Sequence, residues 1–438
     1  MPSAFFTGLS GLQSHSQAVQ VVANNLANLN TIAFKGSRSD FRDLFYQSIG
    51  QSRSGVVSQV GIGTAPITVF RRFEQGTVQN TGGLLDAAIQ GEGFFVLSDN
   101  DLTQYTRAGN FQLNANRELV TINAENVLGW VRDPSTGRIA EGEEDVINLQ
   151  GQDRIEPSPT TTLEVDANLQ TGSTASFSRP VEIFDSLGSS HVMTLTFTPV
   201  DPTTLTAGSS AGFEVSVTLP ADEVIDTVTG VAPLADPNLV VGQPLVLEFD
   251  ATGQLITTGG PGVTAIDIEM ASQTPPIAFA NNAQDLDIAW DLLDAASLPR
   301  ITSVAAASAI TDLFQDGTPS AELVSISMAD GGVMNGLYSD GRTLELAQLA
   351  MARFTNTQAL QAVGSNNYVR TAAAGEALVG LPNEAGRGSI IGLSLETSNV
   401  DIAQEFTNLL TYQRGFQANS RVITTADELN QEALNLKR

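Results

Sequence analysis

Cysteine is absent from all 438 residues, which removes disulfides, thiolate nucleophiles and thiolate metal sites together. That absence does not fix the compartment, since a secreted chain of this size can fold without disulfides. Aromatic residues make up only 6% of the chain, and histidine occurs only as His15 and His191. No run of about 18 apolar residues is present, so a membrane-spanning helix is excluded. The opening MPSAFFTGLSGLQSHSQ has neither a basic start nor an unbroken apolar core and does not read as a Sec signal peptide. Positive charge is scarce as well. With 21 Lys+Arg against 48 Asp+Glu, the net charge of −27 argues against nucleic acid and against anchoring on anionic membranes.

The position of the charge says more than its sum. Residues 1–72 carry 6 basic and 2 acidic side chains, residues 73–140 carry 4 and 8, residues 141–330 carry 3 and 28, and residues 331–438 carry 8 and 10. Acidic side chains are rarely fully buried, so the middle is expected to be solvated exterior, while the nearly balanced ends can pack closely.

Against this background two apolar stripes with a seven-residue repeat stand out at opposite ends of the chain. One is Phe5, Leu12, Val19 and Leu26, reinforced by Leu9, Val22 and Leu29; the other is Ile402, Leu409, Phe416 and Ile423, reinforced by Phe406. Such stripes seek helical partners. The first helix is predicted from residue 3 to about 29 and contains no charge, the first charged residue being Lys35. A solvent-facing helix normally carries Lys and Glu on its outer side, so polar but uncharged backs imply contact with protein on more than one side. The second helix is predicted to start after Ser398-Asn-Val-Asp401, with Asp401 at the positive end of its dipole, and to run to about Leu436. Gly415 lies inside it, at a cost of roughly 1 kcal/mol relative to alanine.

Between the stripes the signals are those of strands and turns. Residues 50–65 are Gly- and Ser-rich and read as an extended connector. Residues 93–97, 102–107 and 118–122 are short strand candidates, and Asp133 to Gly137 forms a turn. Asp185-Ser-Leu-Gly188 and Asp250-Ala-Thr-Gly253 each sit between strand-like runs and predict β-hairpins. The run 344–354 suits a helix as well as a strand, and the Ser339-Asp-Gly341 turn before it favours a hairpin. The expected fold is mixed and mainly β with terminal α. Long end helices over 1–34 and 398–438 form a coiled-coil-like inner domain, with extended connectors at 35–70 and 375–397. These enclose two nested all-β domains, an inner one of 71–155 with 312–374 and an acidic outer one of 156–311.

Motifs for chemistry are weak. His15 and His191 have no evident reason to meet, so a two-histidine metal site loses to two ordinary positions. Gly208-Ser-Ser-Ala-Gly212 matches a nucleophile elbow, but a strand pattern follows where a helix is required and no histidine comes later. Asp99-Asn-Asp101 lacks the glycine and distal glutamate of a calcium loop, and the acids of Glu141 to Asp145 read as a solvated loop. No catalytic, metal-binding or cofactor-binding residue is assigned, and no cofactor is expected.

The residues of the two ends do carry a family signature. Ala23-Asn-Asn-Leu-Ala-Asn28 with Thr31-Ile-Ala-Phe-Lys-Gly36 resembles the amino-terminal signature of bacterial flagellar rod and hook proteins, and Gln413-Arg-Gly-Phe-Gln-Ala-Asn-Ser420 with Val422 to Thr424 resembles their carboxy-terminal one. The signature positions are Asn24, Asn25, Leu26, Asn28, Thr31, Phe34, Lys35, Gln413, Arg414, Gln417 and Asn419. Residues 73–82, 85–89 and 93–95 look like the first β domain of the hook protein, and the hairpins at Asp185 and Asp250 look like its outer domain. Ala33 stands where the family commonly has glycine, and Gly415 where it commonly has alanine. The resemblance implies a non-enzymatic hook subunit that forms a homopolymeric, curved, flexible tube carrying torque from rod to filament. It also implies export by the flagellar type III pathway, extracellular localisation in the hook, and rod, hook-cap and hook–filament junction proteins as partners. The alternatives are a distal rod subunit, which shares both signatures but lacks so large an outer domain, and a secreted β-rich carbohydrate-active or carbohydrate-binding protein.

Overall fold

The computed structural model describes residues 2–51, 57–99, 102–133, 138–139, 142–227, 239–240, 245–258, 264–270, 277–294 and 296–435. The chain divides into two compact units, residues 1–153 with 324–438, and residues 154–323.

The first unit begins with helix α1, Pro2–Ala27, and ends with helix α2, Ile402–Asn435. Helix α1 stops where Asn28 turns its side-chain amide back onto the Asn24 carbonyl at 3.0 Å, and Ala33 then takes a left-handed φ of 54°. Helix α2 starts on Asp401, whose Oδ1 accepts from the Gln404 backbone N–H at 2.9 Å, as its place near the dipole predicts.

Residues 52–56 of the run predicted as an extended connector lie outside the described residues, and the described parts on either side are paired. Ser37–Asp40 pairs antiparallel with Thr68–Arg71, and Tyr46–Gln51 with Val57–Gly61. Gly and Ser lower the strand propensity of this stretch and hide it from composition, yet backbone pairing satisfies its N–H and C=O groups.

An antiparallel sheet forms the body of this unit. Its order is Val333–Tyr338, Thr343–Leu349, Asn126–Val131, Phe94–Asp99, Leu102–Thr106, Asn367–Val369 and Gln361–Gly364. The ambiguous 344–354 run is therefore strand, held in a hairpin by the turn at Ser339 to Gly341. Phe94, Tyr105, Trp130, Phe354 and Tyr368 pack together in its core, several edge to face. Four residues of the turn predicted from Asp133 to Gly137, namely 134–137, lie outside the described residues.

Among its described residues the second unit, 154–323, is built of β-strands, with one short 3-10 turn at Pro202–Thr204. One antiparallel sheet runs Phe177–Phe184, Ser190–Pro199, Ala211–Thr218, Leu245–Phe249 and Leu255–Thr258, with the hairpin turns at Asp185 and Asp250 as predicted. Another runs Ala265–Glu269, Asp287–Asp291, Thr162–Asn168 and Ile301–Thr302, with Ala309–Gln315 also on Thr162–Asn168. The two share a core in which Trp290, Phe197 and Phe249 are fully buried. Strand Asp287–Asp291 shows how acidity and core coexist: Ile288 and Trp290 point in, and Asp287 is exposed. The expected boundary at 311 falls inside strand Ala309–Gln315, whose mostly exposed side chains erase the alternation that would mark it as a member of the sheet. Gly208 to Gly212 runs directly into strand Ala211–Thr218, so no elbow forms there.

Candidate assembly interface and its anchor

Helices α1 and α2 lie side by side and antiparallel, and small residues bring them together. A Cβ on Gly11 would lie 2.7 Å from the Asn419 side chain, and one on Gly415 would lie 2.5 Å from the His15 ring. Gly8 faces Ile423 in the same register. The helical cost of Gly415 thus pays for a close crossing that alanine would obstruct. Ser14, Ala18, Val22 and Asn25 continue the buried face of α1. Burial lowers the pKa of His15, whose neutral ring packs near Phe41 and Tyr412, with centroids 5.1 and 6.1 Å away.

The predicted stripes meet this seam only at Val22 and Ile423. At about 100° per residue, Phe5, Leu12, Val19 and Leu26 lie roughly a quarter turn from it. Of the predicted interface residues only Val22 is buried; Leu12, Val19, Leu26, Leu29, Leu409 and Ile423 are half-buried. Phe5, Leu9, Ile402, Phe406 and Phe416 are exposed, and Leu410 beside them is 55% exposed. Val19 and Phe416 line one depression between the helices, so the two stripes flank the same side of the pair. Hydropathy missed most of the seam because Gly and Ser carry no apolar signal and Ala only a weak one. Spacing alone missed Phe6, which is 60% exposed and belongs to neither stripe.

The pair is anchored to the β body by a buried ionic cluster. Lys35 Nζ lies 2.6 Å from Glu396 Oε1, and Arg107 Nε donates to Glu396 Oε2 at 2.9 Å, all three side chains being almost fully buried. Lys35 also donates to the Glu74 carbonyl at 2.8 Å, the Gly76 N–H donates to Glu396 Oε1 at 2.7 Å, and Arg107 donates to the carbonyls of Gly93, Ile89 and Gly91. Burial, then the neighbouring Arg107 charge, lower the Lys35 pKa to about 8 against the opposing pull of Glu396.

Other signature residues act beside it. Asn25 exchanges two hydrogen bonds with the Ser37 backbone at 2.8 and 2.9 Å, and Thr31 donates to Asn28 Oδ1 at 3.1 Å. Asn419 Nδ2 donates to the Gly415 carbonyl within α2, while Gln413, Arg414 and Gln417 are exposed on it, and Asn24 is exposed on α1. Phe34 is half-buried, and its carbonyl accepts from the Asn399 N–H. Asn399, which the signature reading omitted, also accepts from the Gly36 N–H and donates to the carbonyls of Arg72 and Glu74, and Arg72 reaches Glu405 in the first turn of α2 at 3.3 Å.

Within the acidic unit, His191 sits between Asp185 at 3.1 Å and Glu223 at 2.7 Å and stacks on Phe279. Burial pushes the Asp185 carboxyl up, but hydrogen bonds from Asn281, His191 and the backbone N–H groups of Ser189 and Leu187 outweigh it and hold the pKa below the usual value. The arrangement is a clasp across a hairpin. Among the described residues no group of three or more His, Asp or Glu is arranged to hold a metal ion, and no helix is long and apolar enough to cross a membrane.

Four family models tile this architecture. "Flagella basal body rod protein" matches 5–35, "Flagellar hook protein FlgE/F/G D1 domain" 88–168, "Flagellar basal body protein FlaE D2 domain" 148–318 and "Flagellar basal body rod FlgEFG protein C-terminal" 393–436. The chain is 29% identical over 480 residues to the flagellar hook protein FlgE of Treponema pallidum, with 100% of both chains covered. It is 28% identical to those of Borreliella burgdorferi, again over 100% of both, and of Escherichia coli, over 99% of this chain and 100% of that one. The chain belongs to the flagellar hook protein family. The crystal structure of the Helicobacter pylori flagellar hook protein FlgE2 shares its fold with a TM-score of 0.51 at 14% identity, over 73% of this chain and 100% of that one. The family's D2 match nearly coincides with the acidic unit, and its two rod-type matches fall on α1 and α2.

Proposed function

We propose that this chain is a structural subunit of the bacterial flagellar hook and that it polymerises through α1 and α2 into a flexible curved tube carrying torque from rod to filament. The observation that carries this reading is the set of large apolar stripe residues, Phe5, Leu9, Ile402, Phe406 and Phe416, left exposed on two helices whose own seam is already filled. Covering apolar surface stabilises by about 25 cal/mol per Å², so side chains such as Phe406 and Phe416 become cohesive once neighbouring copies meet them. The absence of charge before Lys35 lets α1 pack on several sides without desolvating an ion. The acidic units of neighbouring copies repel one another, which keeps their contacts loose and weakens with salt.

Export by the flagellar type III pathway and contacts with rod, cap and junction proteins belong to the same reading, as does a purely structural, non-enzymatic role. Electron microscopy of the purified full chain tests it. Curved tubes are expected; straight rods would indicate a rod subunit, and no polymer at all would refute the reading. A chain lacking residues 1–30 or 400–438 is expected to form no tubes while unit 154–323 still melts cooperatively.

A further inference from the structure

The depression between α1 and α2 has no occupant within its own chain. It measures about 290 Å³ and is lined by Ser16, Val19, Gln413, Phe416 and Gln417, an apolar floor with an uncharged amide rim. An apolar cavity of roughly 150 Å³ already admits a benzene ring. Phe6 is the complementary feature, an aromatic side chain 60% exposed on the chain's other helical face. By helical geometry it points nearly opposite the seam, on the side that carries Gln13, Gln17, Gln20 and Asn24.

From these observations we infer that Phe6 of one copy seats in the Val19–Phe416 depression of the next. The inference rests on the hook-subunit reading and specifies the register of its helical contact. Phe6 cannot fill its own depression, because Ser16 and Val19 lie roughly 15–20 Å further along the same helix. The occupant is another copy because the proposed hook assembly is a polymer of this chain and because neither the lining of the depression nor the helix that carries Phe6 bears a charge to be desolvated. Knob and depression lie on different faces of one helix pair, which makes the contact head-to-tail. A repeated head-to-tail contact that does not close into a ring generates an open helical assembly, whereas a self-complementary face would stop at a dimer.

The chain has no cysteine, so introduced thiols report contact without background. Full-length Phe6→Cys and Gln417→Cys variants, mixed before polymerisation and oxidised afterwards, are expected to form covalent heterodimers at least tenfold above a Leu187→Cys and Gln417→Cys mixture. Tubes that form without this excess overturn the inference. Should the cysteine variants fail to assemble, two others decide the matter. Phe6→Ala is expected to raise the protein concentration needed for polymerisation at least tenfold, and Phe6→Leu by no more than threefold. Equal thresholds for Phe6→Ala and the unaltered chain also overturn it. If the unaltered chain forms no tubes, it is the hook-subunit reading that fails, and the two failures remain distinct.

Discussion

In the acidic unit Trp290, Phe197 and Phe249 are completely buried within a single chain, whereas in the helical pair Phe6, Phe406 and Leu410 remain more than half exposed. The acidic unit places charge on the outer residues of strands whose inner residues fill one core, so it is complete as a monomer. The helical pair spends its small residues on an internal seam and leaves its large apolar ones outside. One region satisfies its hydrophobic surface by folding, and the other leaves part of it open to the proposed association. On the proposed hook function, cohesion then belongs to the ends and tolerance of movement to the acidic middle.

The sharpest way to break this contrast is to loosen the anchor that presents the helices. Glu396→Ala leaves Lys35 and Arg107 buried without their carboxylate, and breaking such a cluster costs about 3–5 kcal/mol. Calorimetry is expected to show the transition of the helix-bearing unit lowered, with that of unit 154–323 unmoved. The reciprocal change is His191→Ala, which removes the stack on Phe279 and the bridge between Asp185 and Glu223. A loss of about 2–4 kcal/mol is expected in the acidic unit alone, with the polymerisation threshold unchanged. Equal effects of both substitutions on assembly would erase the division.

The pH dependence of the anchor is a finer probe. Because the folded Lys35 pKa is lowered to about 8 from 10.5, the unfolded chain holds a proton above pH 8 that the folded chain has released. Stability linked to this group therefore rises as pH increases from 8 towards 10.5, and is least below 8. Burial raises the pKa of Tyr105 and Tyr368, whose contribution is lost as pH climbs above 10, so the window to use ends near there. The midpoint of the helix-bearing unit is expected to climb between pH 8 and 9.5, and Lys35→Met to flatten that slope. The smallest effect is expected of Ala33→Gly, which relieves a left-handed φ of 54° and stabilises by about 1 kcal/mol in thermal melts.

Much of this architecture could be read in advance wherever one residue type carries the signal. Asp401 marks the start of α2, and the turns at Asp185 and Asp250 mark their hairpins, because caps and turns are local chemistry. The stripes correctly located two helices, but the seam between them is made of Gly8, Gly11, Ser14, Ala18 and Gly415, which hydropathy does not register. Lys35 drew attention through its signature and as the first charge in the chain, but not as half of an ion pair, since its partner Glu396 is 361 residues away and nothing local pairs them. The hairpins between Ser37 and Arg71 were concealed by a Gly- and Ser-rich composition that usually means a linker.

The central claim is that the outward stripe residues, Phe406 and Phe416 among them, are exposed in the lone chain and covered in the polymer. Single-cysteine variants at Phe406 and Phe416, with Leu187 in the acidic unit as control, allow this to be measured by thiol-labelling rate before and after polymerisation. The account predicts that labelling at both stripe positions falls at least tenfold in the tube while that at position 187 stays within about twofold. Stripe thiols that label as fast in the tube as in the monomer would contradict it.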